Sequence, residues 1–384
     1  MIYLDNHATT RCDPRVLAAM LPFFSEEYGN PHSAEHAMGW AADEAVEAAR
    51  GQVAAVIGAE PREIIFTSGA TEANNLALYG VANMGRDNER RRIVTLAIEH
   101  PSVLEPLADL EDDGFDVVLL PVRSNGLADL ATLREALAVP TLLVSVMAVN
   151  NEIGVIEDVA AIAAAAHEAG ALFHCDAAQA LGRITIDVAA MGIDLMSISA
   201  HKIYGPKGIG ALFVRHRPRI RLRPLMAGGG QERGLRPGTI ATPLVVGFGA
   251  ACAIAGQEII GEQIRLAKLR DSMRAGLSAH FPRVILNGDG APRVAGNLNV
   301  TLPGFPAREL LRRAPDLCIS TGSACGSGEV RASHVQRAIG LSEADAVCTL
   351  RLGLGRFTSQ AECDTAVKAL AHAAHEIEAL PCPR

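Results

Sequence analysis

The sequence predicts an α/β fold, in which a large domain with a mostly parallel sheet is followed by a smaller α+β domain. Two observations on residues 14–249 predict the large domain. Helical stretches alternate there with short strands, and these strands are nearly continuous apolar runs, which are typical of strands covered on both faces. The third observation is a change of pattern after a long helical region at residues 243–279. Short strand-like stretches alternate with helices there, as is typical of an α+β domain.

The elements of the large domain have clear sequence signals. Helices are predicted at residues 35–57 and 158–169, each followed by a glycine that can end it. Seven strands are predicted at residues 64–66, 93–96, 117–120, 142–147, 172–174, 195–198 and 211–214.

The smaller domain is predicted from the remaining pattern. Its strands are expected at residues 284–286, 297–302 and 350–354, and its helices at residues 307–313, 333–339 and 361–379. We therefore assign residues 14–255 to the large domain, and residues 1–13 together with 256–384 to the smaller one.

Composition excludes several classes of function. Apolar residues make up 49% of the 384 positions, which is enough for a sizeable core, and the formal net charge of −8 argues against nucleic acid as a partner. The N-terminus has no basic segment before an apolar run, and the longest uncharged apolar run, residues 241–256, is too short to span a bilayer. Eight scattered cysteines without a CxxC pair give no support for a metal site or a disulfide framework. We expect a cytoplasmic protein that is not bound to a membrane.

Polar side chains collect directly after the predicted strands. The turn Thr67-Ser68-Gly69 and the following Ala70-Thr71 open a helix, where free amides and the helix dipole favour a bound phosphate. The polar residues that follow the next strands are Glu99 and His100, Asn150 and Asn151, Asp176 and Gln179, and His201 and Lys202. Ligands of open α/β sheets bind beyond the carboxyl ends of the strands, so these groups are expected to share one crevice.

An anion site, an acid, an aromatic ring and a lysine in one crevice suit pyridoxal phosphate. Lys202 would carry the cofactor covalently, Asp176 would pair with its pyridine nitrogen, and Ala70 and Thr71 would hold its phosphate. A nucleotide-binding domain would explain the glycine turn but not His100, Asp176 and Lys202 together.

Nine motifs extend this interpretation over essentially the whole chain. They are LDNHATT (4–10), GNPHS (29–33), FTSGATEANNLAL (66–78), VNNEIG (149–154), HCDAAQALG (174–182), SAHKIYGPKGIG (199–210), GGGQERGLRPGT (228–239), STGSACGSG (320–328) and RLGLGRFT (351–358). In this order the set resembles cysteine desulfurases of the NifS/IscS type, which belong to the class V aminotransferases. The resemblance implies the aspartate-aminotransferase-like fold of fold type I pyridoxal phosphate enzymes, and a homodimer with active sites near the subunit interface.

The resemblance also implies residue roles. Cys325 would accept sulfur from L-cysteine, Lys202 would carry the cofactor and move protons, and His100 would stack on the cofactor ring and carry a proton between the thiols. Arg351, helped by Asn30, would hold the substrate carboxylate. The remaining cofactor contacts would come from Ala70, Thr71, Asn151, Asp176, Gln179, Ser199, Ala200, His201 and, from the other subunit, Thr239.

Two residues depart from the pattern of this family, and three alternative functions remain open. His7 stands where these enzymes more often have a small residue or asparagine, and Gly326 follows the cysteine where threonine is common. A selenocysteine lyase or an aminotransferase would use Lys202 and Asp176 equally well without needing Cys325, whereas a non-enzymatic scaffold would need neither Lys202 nor Cys325. The acceptor that receives the sulfur, an iron–sulfur scaffold or another sulfur carrier, stays open. Cys175 and Cys318 are expected to be packing residues.

Overall fold

The computed structural model describes residues 1–84, 90–321 and 332–379. Its strands are β1 (Ile2–Tyr3), β2 (Ile64–Thr67), β3 (Arg92–Leu96), β4 (Asp116–Leu120), β5 (Thr141–Met147), β6 (Leu172–Asp176), β7 (Leu195–Ser199), β8 (Gly210–Val214), β9 (Ile285–Leu286), β10 (Asn297–Thr301), β11 (Leu317–Cys318), β12 (Ser320–Thr321) and β13 (Thr349–Gly353). Its helices are α1 (Pro14–Met20), α2 (Pro22–Ser25), α3 (Ala37–Val56), α4 (Ala70–Met84), α5 (Pro101–Asp112), α6 (Leu130–Ala136), α7 (Val159–Glu168), α8 (Thr242–His280), α9 (Ala307–Arg313), α10 (His334–Ala338), α11 (Glu343–Ala346) and α12 (Gln360–Glu378).

The largest sheet has seven strands in the order β2-β8-β7-β6-β5-β3-β4. The strands β3 to β7 pair in parallel, while β8 lies antiparallel between β2 and β7. The predicted α/β fold with a mostly parallel sheet is therefore confirmed. In the register of the sheet, Met147 pairs with Asp176, and Asp176 pairs with Ser197. This alignment brings the carboxyl ends of three neighbouring strands to the same edge.

One strand departs from the expectation that both faces are covered. Strand β4 lies at the edge of the sheet, Leu120 is its one buried residue, and Leu119 is 54% exposed. An edge strand has a neighbour on one side only, so an apolar run there does not imply burial.

A second, four-stranded sheet has the order β12-β13-β10-β9 and is antiparallel. Its apolar residues form a separate hydrophobic cluster, which also includes Leu4 from the N-terminus. Residues Ile2 and Tyr3 form a short parallel pair with Leu317 and Cys318. The domain boundaries assigned from the sequence stay a prediction.

Helix α8 contributes to two of the three hydrophobic clusters formed by the described residues. Its first half contributes Val245, Phe248 and Cys252 to the cluster beside the large sheet, and its second half contributes Leu269 and Met273 to the cluster beside the four-stranded sheet. Among the described residues, α8 alone is long and apolar enough to cross a membrane by length and composition, a test that core helices also pass. Its packing into two clusters is that of a core helix.

A buried ion pair holds the segment at residues 228–239 against the large sheet. Both terminal nitrogens of Arg50 donate to the carboxylate of Glu232, at 2.8 and 2.9 Å, and the backbone N–H of Phe66 donates to the same carboxylate at 2.6 Å. Glu232 and Arg233 have φ values of 46° and 58°, in the left-handed region that costs free energy for residues other than glycine. The ion pair therefore fixes an unfavourable turn at the start of the 232–239 stretch.

Candidate active site

A pocket of about 580 Å³ lies where strands of the large sheet end. Most of the residues singled out in the sequence line it: Ala70, Thr71, His100, Asn151, Asp176, Gln179, Ser199, His201, Lys202 and Arg351. Arg351 comes from β13 of the other sheet, so the pocket lies between the two sheets. Its size is that of ordinary small-molecule sites.

Three of the predicted site residues do not line the pocket, and a fourth is not among the described residues. Ala200 is buried in the short 3₁₀ turn after β7 and does not line the pocket, and Asn30 and Thr239 are exposed outside it. Cys325 lies outside the described residues. The roles of these four residues stay predictions.

Lys202 follows β7 and ends the 3₁₀ turn that the sequence places there. Its Nζ donates to the backbone oxygens of His7 and Ala8, both at 2.7 Å. Burial, to which the nearby cations Arg183 and Arg351 add, lowers the pKa of Lys202 to about 7. A substantial fraction of this amine is therefore neutral and nucleophilic near pH 7.

Asp176 and His100 are joined by a chain of hydrogen bonds. Asn74 Nδ2 donates to Asp176 Oδ2 at 2.8 Å and to Ser102 Oγ at 2.9 Å, and Ser102 Oγ lies 2.8 Å from His100 Nδ1. The N–H of Ser102 also donates to His100 Nδ1, because His100 caps the N-terminus of α5. Since Nδ1 accepts a hydrogen bond, a neutral His100 carries its proton on Nε2.

The link between Asp176 and His100 was not predicted from the sequence. Asn74 and Ser102 lie within two helices, α4 and α5, whose packing side by side becomes known only from the structure. The available signal was Asn74 itself, a fully buried amide among the apolar residues of α4.

Arg351 is held by groups from both sheets. Its Nη1 donates to the backbone oxygen of Asn151 at 3.0 Å, and its Nη2 donates to Asp5 Oδ1 at 2.8 Å and to Ser320 Oγ at 3.0 Å. Its Nε and the side-chain oxygen of Asn151 are buried and have no hydrogen-bond partner in the described part of the chain. Free donors and acceptors of this kind are typical of a site that binds a polar ligand.

His7 packs beneath Lys202, beside Gln179 and Arg183. Arg183 Nη1 lies 2.9 Å from His7 Nδ1 and also contacts the side-chain oxygen of Gln179, while Gln179 Nε2 donates to the backbone oxygen of His7 at 2.8 Å. Burial, followed by the cations Arg183 and Arg351, lowers the pKa of His7 well below its usual value. His7 lines the pocket, although the sequence offered no account of it.

The N-terminus of α4, where the sequence predicts an anion site, lies at the pocket. Amides in the first turn of a helix have no partner within the helix, so those of Ala70 and Thr71 are available to a ligand. The turn before α4 passes very close to the start of β8: a Cβ on Gly210 would lie 2.7 Å from Gly69 Cα and 2.4 Å from the oxygen of Ile198. Glycine at position 210 is therefore required for this approach.

The residues of the pocket fit pyridoxal phosphate. A helix N-terminus suits the phosphate, the carboxylate of Asp176 suits a protonated pyridine nitrogen, and Lys202 supplies an amine of lowered pKa. The unpartnered atoms of Asn151 and Arg351 belong to residues that line this pocket. Among the described residues, no cluster of three or more His, Cys, Asp or Glu side chains could hold a metal ion.

The described cysteines lie away from this chemistry. Cys175 is fully buried, as expected from its position next to Asp176, and burial raises the pKa of its thiol well above the usual value. Cys318 is half-buried in β11. A thiol whose pKa is raised by burial has little thiolate, so Cys175 is unsuited to nucleophilic attack.

Comparisons with known proteins show the family to which this chain belongs. The model of the family "Aminotransferase class-V" matches residues 2–365. The cysteine desulfurase IscS of Rickettsia bellii is 49% identical over 367 residues, which cover 96% of this chain and 89% of the relative.

Solved structures give the same result. A structure described as a NifS-like protein superposes with a TM-score of 0.91 at 36% identity, covering 98% of this chain and 99% of that one. A structure described as SspA in complex with cysteine superposes with a TM-score of 0.83 at 38% identity, covering 94% of this chain and all (100%) of that one.

Proposed function

This chain belongs to the cysteine desulfurases of the NifS/IscS type within the class V aminotransferase family, and from this premise we propose how its residues divide the reaction. The reaction converts L-cysteine to L-alanine and passes the sulfur to a thiol of the enzyme as a persulfide. The observation that carries the proposal is Lys202, whose pKa of about 7 and position opposite Asp176 suit it to hold pyridoxal phosphate.

The pocket residues would hold the phosphate and the pyridine nitrogen of the cofactor. The N-terminal amides of α4 and the side chains of Ser199 and His201 hold its phosphate, and Thr239 reaches the phosphate held by the neighbouring subunit. Asp176, oriented by Asn74 and by the N–H of Ala178 at 2.9 Å, keeps the pyridine nitrogen protonated. When bound, pyridoxal phosphate supplies an electron sink for the negative charge that develops at the substrate Cα.

Proton movements fall to Lys202 and His100. The neutral amine of Lys202 takes the Cα proton, since a base with a pKa near 7 is suited to proton transfer at neutral pH. His100 carries a proton on Nε2 while Ser102 fixes its ring through Nδ1, and it passes this proton between the thiols. Arg351 and Asn30 orient the substrate through its carboxylate.

Sulfur transfer needs a nucleophilic thiolate, and we assign it to Cys325. An S–S bond forms between the Cys325 thiolate and the substrate sulfur, and the bond between that sulfur and Cβ breaks. The electron pair of the broken bond stays on carbon, where protonation yields the methyl group of alanine. The support is the STGSACGSG motif at residues 320–328, which a lyase or an aminotransferase would not need.

We also propose a cytoplasmic homodimer that delivers its sulfur to an acceptor protein. The exposed 228–239 segment and its buried anchor, Arg50 with Glu232, support an interface at this place. An iron–sulfur scaffold or another sulfur carrier would be the acceptor.

The experiment follows the cofactor and the product together. The purified protein should absorb near ~400–420 nm and release alanine from L-cysteine in the presence of a thiol. Lys202→Ala should lose the link to the cofactor that borohydride makes permanent, and Lys268→Ala serves as the matched control. A colourless wild-type protein that takes up no added pyridoxal phosphate would overturn the proposal.

A further inference from the structure

We propose that His7 is a second ligand of the substrate carboxylate beside Arg351, and that it sets the preference of this enzyme for an α-carboxylate over the corresponding amine without one. This inference rests on the proposed function. It starts from a histidine that is 2% exposed, lines the pocket, and has a buried ring nitrogen, Nε2, with no hydrogen-bond partner among residues 1–84, 90–321 and 332–379.

The proton of His7 is placed by Arg183. Two groups lie near His7 Nδ1: Arg183 Nη1, which is always a donor, at 2.9 Å, and Gln179 Oε1, an acceptor, at 3.2 Å. The arginine contact is the shorter one, and Gln179 Oε1 already accepts from the same guanidinium nitrogen, so we assign Nδ1 as an acceptor. A neutral ring then carries its proton on Nε2. Burial and the surrounding cations favour this neutral form. Nε2–H is therefore a donor without an acceptor, an arrangement that costs free energy unless a ligand supplies one.

The ring lies on the side of β13 from which Arg351 extends. A Cβ on Gly353 would lie 2.8 Å from His7 Cδ2, the ring atom bonded to Nε2. Residues 351 and 353 are two apart on one strand, so their side-chain positions share a face. The missing side chain at Gly353 thus leaves room for the imidazole beside the guanidinium.

Arg351 alone is poorly placed to hold a carboxylate. Its Nη2 is already paired with Asp5 at 2.8 Å, and its Nη1 is bonded to the backbone of Asn151 at 3.0 Å. Its Nε is buried and has no partner among the residues that the structure describes, and the same holds for His7 Nε2. Two unpartnered donors in one pocket match the two oxygens of a carboxylate, and the neutral His7 adds a hydrogen bond without adding charge.

The test uses three substitutions at position 7 in the holoenzyme. His7→Gln places an amide nitrogen near the position of Nε2, whereas His7→Asn is one methylene shorter and cannot reach it, and His7→Leu removes the donor. All three keep the backbone oxygen that accepts from Lys202 Nζ. The probes are L-cysteine and cysteamine, which lacks the carboxylate, titrated by the change in the visible absorption of the cofactor.

We expect His7→Leu and His7→Asn to weaken binding of L-cysteine about 10- to 100-fold, the effect of losing a hydrogen bond to a charged group, with cysteamine changed less than about threefold. His7→Gln should stay within about threefold of wild type for both ligands. In alanine formation the loss should fall on KM and leave kcat nearly unchanged, as for a contact made equally in the ground and transition states.

Equal weakening of both ligands would overturn the inference, and so would unchanged binding of L-cysteine by His7→Asn. If His7→Leu does not fold, the comparison of His7→Asn with His7→Gln decides alone. Failure of the proposed function is distinguishable, because the wild-type holoenzyme would then release no alanine from L-cysteine.

Discussion

The titration of Lys202 in the cofactor-free protein is the sharpest consequence of the pocket. Burial is the main cause that lowers its pKa to about 7, and Arg183 and Arg351 add to the effect, while Asp176 and Asp5 oppose it. A lysine in water titrates near ~10.4, so at pH 7.5 about three quarters of Lys202 should be neutral, against about one free lysine in a thousand.

The composition makes this measurable. The chain has four lysines among 35 basic residues: Lys202, Lys207, Lys268 and Lys368. Trace acetylation of the cofactor-free protein between pH 5 and 11, followed by mass spectrometry of each lysine peptide, should give Lys202 a midpoint near 7. A midpoint near that of free N-acetyl-lysine would refute the reasoning.

Substitution of Arg183 separates charge from burial. Arg183→Gln should raise the pKa of Lys202 because a nearby positive charge is removed, yet leave it below that of free lysine because burial remains. Arg183→Lys keeps the charge and should change the midpoint little. If both variants shift the midpoint equally, the effect comes from altered packing and not from the charge.

The same shift affects stability. The pKa of Lys202 is lower in the folded than in the unfolded state, so between pH 7 and ~10.4 the unfolded chain binds more protons. The free energy of unfolding of the cofactor-free protein should therefore rise with pH across this window. Lys202→Met should lack this part of the pH dependence, and identical profiles for variant and wild type would contradict it.

Three further predictions concern the thiol, the interface and its anchor. Cys325→Ser should still bind pyridoxal phosphate and L-cysteine but release alanine at least roughly 10²-fold more slowly, whereas Cys175→Ser should stay within a few-fold; normal turnover by the first variant would exclude Cys325 as the sulfur acceptor. Thr239→Ala should weaken retention of the cofactor in a protein that light scattering shows to be a dimer, and a fully active monomer would disprove the shared site. Arg50→Met leaves Glu232 buried without its cation and should lower the free energy of unfolding in urea by about 3–5 kcal/mol, most of which a second change, Glu232→Gln, should restore; a loss below about 1 kcal/mol would mean that the pair does not hold the turn.

The sequence predicted the large sheet because its strands are short apolar runs of distinct length. The positions of all seven strands are confirmed. The strand predicted at residues 195–198, for example, ends one residue later, at Ser199. The order of strands could not be predicted, since pairing depends on where each connection crosses the sheet. Strands β1, β11 and β12 have two residues each, too few to show any periodicity.

The site residues that come directly at or after the end of a strand could be predicted from the sequence. Asp176 and Lys202 come at or after the ends of β6 and β7, so the rule for open sheets places them in one crevice. Asn74 could not be assigned, because its partners Ser102 and Asp176 reach it from another helix and a strand. A role for His7 could not be predicted from the sequence, because it depends on Arg183 and Gly353, which lie 176 and 346 positions away in the chain.

The number of residues between the two buried stripes of helix α8 sets how the two clusters on it are rotated relative to each other about the helix axis. Cys252, which is buried in one cluster, and Leu266, which is buried in the other, are fourteen residues apart, and fourteen residues fall short of four full turns by only about 40°. Both apolar stripes therefore face nearly the same way. One inserted residue in the exposed stretch between them would turn the second stripe by about 100° and advance it by about 1.5 Å. Strand β13 contributes Leu350 and Leu352 to the same cluster as that second stripe, so the same insertion would shift Arg351 relative to Lys202. Insertions or deletions in this stretch are therefore compatible with the fold only in numbers of residues that return the second stripe to nearly the same orientation.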